Sequence, residues 1–330
     1  MAGLPHVLPP MPAGFPNNRL GFAEWLVDRS NPLTARVTVN RFWQMLFGAG
    51  LVKTVEDFGS QGDWPVYPDV LDDLSTRFMD SGWDVKALLK TMVMSATYRQ
   101  SSRVTPALLE RDPENRLLAR GPRFRLPAQV IRDQALSVSG LLVEKVGGPP
   151  VMPYQPPGLW EDLTFSGESY KIDGGEGLYR RSLYTYWKRT VAPPTMVTFD
   201  AATRETCIVR ANRTNTPLQA LDLMNDVTYL EASRKFAERM MKDGGSTPDA
   251  RIDYAIHVAL ARAANPRERA VLVETFNQFR ARFAAKPDAA AKYLAEGKSA
   301  RDASLNPVDL AAYTAVASLI LNMDETVTKE

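Results

Sequence analysis

YRRSLYTYWKRTVAPPTMVTFDAATRETCIVRANRTNTPLQALDLMND, residues Tyr179 to Asp226, is the stretch around which the rest of the chain reads. Between Arg180 and Arg213 it sets seven cationic side chains against two acids, Asp200 and Glu205, and places Tyr184, Tyr186, Trp187 and Phe199 among them. Arginine recognises carboxylate, sulfate and phosphate through a planar fork, and it also tolerates burial beside carboxylates. Such density fits an anion-binding face or an internal strut. Arg181, Leu183, Thr185, Trp187 and Arg189 alternate with Ser182, Tyr184, Tyr186 and Lys188, which predicts a strand. Pro193-Pro194 turns the chain, and Thr195 to Phe199 is expected to pair back as a small β-hairpin. Thr216-Pro217 supplies an N-cap and a first helical residue for a long helix to about Met240.

Outward from this stretch the chain is predicted to be mainly α, a multi-helical body. Asn18 opens a helix, and Pro32 begins a second whose Leu33, Val37, Phe42, Met45 and Leu46 follow the 3.6-residue period up to Gly48. Asn40, Arg41 and Gln44 on that helix read as caps or salt-bridge partners across the core. Pro68 to Met79 and Asp84 to Tyr98 form two more helices, with Asp84 as an N-cap. Thr105-Pro106 and Asp112-Pro113 each open a short helix, and Pro127 to Val143 is another. Residues 151–177 lose helical periodicity and fill with Pro, Gly, Tyr and Trp. Trp160, Phe165 and Tyr170 argue for an ordered long aromatic loop folded over the arginine-rich stretch. Four Pro- or acid-opened helices, from Asp249, Pro266, Pro287 and Pro307, complete the C-terminal third. Residues 1–17 read as a Pro-rich linker, and 18–330 as one helical domain with lobes at about 18–150 and 216–330 joined by 151–215. This beginning, with neither an early basic cluster nor an apolar core, is how a boundary inside a longer polypeptide looks.

Composition narrows the function classes. A chain of 330 residues, 45% hydrophobic and 24% charged, with net charge +2, is ordinary globular material and lacks the basic excess of a nucleic-acid binder. No apolar run is long enough to span a membrane. Cys207 is the only cysteine, so no Cys-x-x-Cys-His haem attachment exists and no cofactor is expected on this chain. It reads as a small buried hydrophobe. With two histidines, His6 and His257, histidine-based catalysis and metal sites are poorly supplied, and no metal is expected. His257, beside Ile256 and Leu260, reads as a core or partly buried histidine.

RRSLYTYWKR and FDAATRETCIVRANRTNTPLQALDLMND resemble the signature of planctomycete surface domain one, a domain-of-unknown-function family found beside c-type cytochrome domains. The resemblance extends through NPLTARVTVNRFWQMLFGAGLV, DFGSQG and SGWDVKALLKTMVMSATYRQSS to SLILNMDETVTKE, nearly the whole chain from about Asn18. It implies a periplasmic or cell-surface location and a c-type cytochrome domain, in the same or a neighbouring protein, as a partner. It implies no reaction.

Three readings of the central stretch follow. In the first, a non-catalytic module binds an anionic polysaccharide or a partner domain, with Arg181, Lys188, Arg189, Arg204, Arg210 and Arg213 supplying charge and Tyr186 and Trp187 stacking. In the second, a carbohydrate-active enzyme uses Asp200 and Glu205 as acid and base, held by the arginines. In the third, these residues are a buried Arg/Asp network between helical lobes, with no ligand.

Overall fold

The computed structural model describes residues 3–163 and 169–329. Phe165 of the aromatic loop lies outside them. Fifteen α-helices among the described residues make the chain mainly α, as its periodicity predicts, and the small sheet is a pair of two-residue strands, Phe124–Arg125 and Thr328–Lys329. Two compact units divide it, one up to Phe124 and the other Arg125–Lys329.

In the first unit, Thr34–Phe47, Pro68–Asp80 and Val85–Met94 surround a core of Val39, Trp43, Phe47, Leu71, Phe78 and Met92. The Thr34–Phe47 helix is rotated from its predicted face. Ala35, Val39, Trp43 and Phe47 are buried while Met45 is exposed, because apolar residues occur all round it and the neighbouring helices choose the buried stripe. Asn40 is fully buried and exchanges two hydrogen bonds with the backbone of Val52, at 2.9 and 3.0 Å, so it pins the chain that leaves the helix. The helix expected from Asp112-Pro113 is a turn instead. Asp112 accepts from the N–H groups of Arg116 and Leu117, a local closure that competes with helix.

In the second unit, Pro307–Leu321 is the central rod, buried along almost its whole length and packed by Val227–Asp243 and Pro266–Ala285. Ala128–Ser139 packs on the other side of Val227–Asp243. Helices from Pro266 and Pro307 start as predicted and the one expected from Asp249 starts one residue earlier, at Pro248, with Thr247, Asn265 and Asn306 accepting the free amides of the first turn. Thr216 caps its helix at Gln219 N, as expected, but that helix stops at Asn225. Asp226 leaves helical geometry (ψ 135°), and its carboxylate caps a second helix at Thr228 N. An aspartate able to cap is a break point that periodicity does not register.

The predicted hairpin over 181–199 is absent. Ser182–Tyr184 is a single 3-10 turn, Lys188 and Val191 make one isolated bridge, and Pro194–Thr198 is a helical turn with proline at its start. Arg180, Ser182 and Thr185 are buried while Arg181 and Leu183 are exposed. The alternation holds from Arg180 to Leu183 and breaks at Thr185, which the period would place with exposed Arg181 and Leu183, so the strand pattern is not sustained. His257 is exposed, since Ile252, Ala255, Ile256 and Ala259 carry the buried face of Pro248–Leu260.

Candidate functional site

The first residues of the central stretch are bolted to the Ala128–Ser139 helix. Arg132, 5% exposed, donates from Nη1 to Arg180 O (2.9 Å) and Ser182 Oγ (3.2 Å), and from Nη2 to Leu178 O (2.7 Å). Its neighbour Asp133 accepts from Ser182 N at 2.7 Å and stands 3.7 Å from Arg181 Nε. Arg180 is equally buried. It donates to the carbonyls of Lys145, Gly147 and Pro149 and stacks 3.8 Å over the Tyr184 ring. A buried arginine strut therefore exists, but it is built on Arg132 and Arg180.

From Ala201 the character reverses. Every residue from 203 to 215 is exposed, including Arg204, Glu205, Arg210 and Arg213, so this segment is not the buried network of the third reading. Cys207 is exposed with it, since no apolar face of the loop turns inward. The loop is clasped at its base. Asp200, with φ at +60°, accepts from Thr214 N (2.7 Å) and Thr214 Oγ1 (2.6 Å), and Gln219 Nε2 ties Thr198 O (3.0 Å) to Thr214 Oγ1 (3.2 Å). Arg204, also left-handed at +64°, lies 4.8 Å over the Trp187 ring, and Trp187 Nε1 donates to Thr203 O at 3.0 Å. Desolvation lowers the Arg213 pKa, and the like charge of Arg210 adds to it. Arg210 and Arg213 thus place like charges near one another on the loop.

The other named side chains fall nearby in sequence but into different surroundings. Arg189 is exposed, Lys188 Nζ lies 4.4 Å over the Trp160 ring, and Tyr186 sits 5.9 Å from that ring at the edge of exposure. Trp160 itself is buried, and Trp187 packs partly against the core, so neither presents an open face for a sugar to stack on. Asp200 spends one carboxylate oxygen on the clasp, and Glu205 stands in the open loop.

Two groups escaped sequence reasoning. Glu231, Arg234 and Glu238 on Val227–Asp243 are all buried and bind the 296–302 segment: Arg234 donates to Ser299 O (2.7 Å) and Oγ (2.9 Å), Glu231 accepts from Ser299 N, and Glu238 from Asp302 N. Gly297 (φ +85°) lies so close that a Cβ there would stand 2.4 Å from Glu231 Cδ. Their spacing of three and four residues was a signal, since charges so placed share one helix face. Trp64, 89% exposed in the first unit, was read only as part of a loop.

No curated protein and no solved structure is matched by this chain. The family model of PSD1, a protein of unknown function (DUF1553), matches residues 18–276, and with this span of its length the chain belongs to that family.

Proposed function

We propose that the loop 203–215 is a docking surface for an acidic polysaccharide, and that the chain acts as a non-catalytic binding module. The observation that carries this is the exposure of Arg204, Arg210 and Arg213 on a segment clasped at its base by Asp200 and Thr214. A clasped loop costs less to order on binding than a free one, and guanidinium groups match carboxylate and sulfate oxygens in pairs. In this reading Arg181, Lys188 and Arg189 extend the charge. Asp200 serves the loop instead of a reaction. The expected ligand is a uronic-acid or sulfated glycan at the cell surface or in the periplasm, the location that the family resemblance implies.

The test measures binding of the purified chain to polygalacturonate, heparin and neutral dextran by calorimetry at low and physiological salt. Affinity for the two acidic chains should fall steeply with salt as screening shortens. An Arg210→Ala, Arg213→Ala double variant should lose about tenfold or more, two charge-assisted contacts being removed. Binding that ignores salt, or that survives the double variant unchanged, would remove the loop from the function.

A further inference from the structure

Beneath the start of the arginine-rich stretch, within the second unit, lies a small, partly open pocket of about 30 Å³ whose lining is more apolar than polar. Its walls include Arg132, Thr185, Thr228 and Tyr229, and Pro153 and Pro194 help to roof it. Arg132 is 5% exposed, and its three hydrogen bonds use three of the five N–H groups of a guanidinium. All three acceptors are uncharged oxygens. The carboxylate within ion-pair range, Asp133, is 3.9 Å from Nη1 and already accepts from Ser182 N. Burial accordingly pushes Arg132 below the ordinary arginine range, against the opposing pull of Tyr229, Asp133 and Asp226.

Among the apolar walls of Ala128, Met196 and the prolines, two hydroxyls offer donors. Thr185 is 4% exposed and its Oγ1 has no hydrogen-bond partner, a rare condition for a buried hydroxyl. Tyr229 is 1% exposed, and burial keeps its phenol protonated, so it can donate. Asp226, the acid closest in sequence to Thr228 and Tyr229, has both oxygens engaged, accepting from Thr228 N at 2.8 Å and Thr195 Oγ1 at 2.9 Å.

We infer that this cavity is a binding site for one small monovalent anion of halide size, held by the Arg132 guanidinium and the Thr185 hydroxyl. The volume accommodates about one or two water-sized bodies and no polyatomic sugar acid. Water could satisfy Thr185, but the Asp133 carboxylate stands as far as 3.9 Å from the buried Arg132, and an anion in the pocket adds a closer counter-charge. The site is independent of the 203–215 loop, so failure of either proposal leaves the other standing.

Crystals of the full chain grown in sodium bromide, measured at the bromine absorption edge, test it directly. One anomalous peak inside the cavity, within hydrogen-bond range of Arg132 and Thr185, is expected. In solution, bromide titrated against sodium gluconate at constant ionic strength should raise the melting temperature saturably. Arg132→Leu would disturb the strut, so Thr185→Val is the working variant. It should raise the half-saturating bromide concentration about tenfold, the effect of one lost hydrogen bond to a charged ligand. A cavity filled by water with no anomalous signal, a melting rise equal in gluconate, or an unchanged titration in Thr185→Val would overturn the assignment.

Discussion

Asp200 shows how one residue sets the state of a loop. Its backbone occupies the left-handed region, which an aspartate tolerates when its side chain bonds locally, and its carboxylate holds both the N–H and the hydroxyl of Thr214. Alanine at this position would keep the unfavourable φ and lose both bonds. Asp200→Ala is expected to cost about 1 kcal/mol in overall stability. Its larger effect should be local, since trypsin should cleave after Arg204, Arg210 or Arg213 several times faster once the clasp opens. Equal digestion rates in the two proteins would show that Asp200 does not restrain the loop. Cys207 and His257 make the same point in reverse: each has the chemistry of an interior residue, and each is exposed because the apolar face of its segment lies elsewhere or is missing.

Among the helices, Pro266–Ala285 is the most completely capped. Asn265 and Glu268 form a reciprocal capping box, and Arg262 binds both Glu268 oxygens at 2.8 and 2.9 Å. Those Arg262 bonds, then the Asn265 amide, hold the Glu268 carboxyl below its ordinary value of 4.5. A carboxyl depressed in the folded state contributes stability that is complete above 4.5 and is lost as pH falls from there through the lower folded value. Glu268→Gln should therefore destabilise the protein near neutral pH, and the difference from the parent should shrink on acidification below 4.5. Denaturant titrations at several pH values would check this, and a difference constant with pH would contradict it. On Val227–Asp243, Arg234 lies between Glu231 and Glu238, and all three side chains are under 5% exposed. Arg234→Leu would leave buried Glu231 without the cation beside it, while Glu238 keeps its ion pair with Lys235, and should cost about 3–5 kcal/mol. A loss below about 1 kcal/mol in urea denaturation would mean that Glu231 is relieved in some other way.

At the scale of the molecule, each unit has its own apolar core, around Val39 and Leu71 in one and around Phe236 and Ile320 in the other. Phe236 is fully buried on Val227–Asp243 beneath Pro307–Leu321. Phe236→Ala should cost about 3–5 kcal/mol through the cavity it leaves. Amide exchange should rise across Arg125–Lys329 and leave the Thr34–Phe47 and Pro68–Asp80 helices protected. Equal loss of protection in both units would show that their cores open together. Much of this architecture was legible in the chain. Helix starts are written locally, in Asn18, Asp84, Thr216, Thr247, Asn265 and Asn306, because a cap acts within a single turn, as does the proline that follows the last four. The helical class and the family follow from such signals and from motifs. Which face of Thr34–Phe47 is buried did not follow, nor that 181–199 lacks a hairpin, nor that Asp226 divides a helix. Most of all, sequence could not divide the arginines between interior and surface. Arg132 and Arg180 are interior because carbonyls and hydroxyls up to 50 residues away converge on them, whereas Arg204, Arg210 and Arg213 are exposed because none of the loop around them is buried. The same guanidinium serves either role, and only the tertiary placement of its acceptors decides between them.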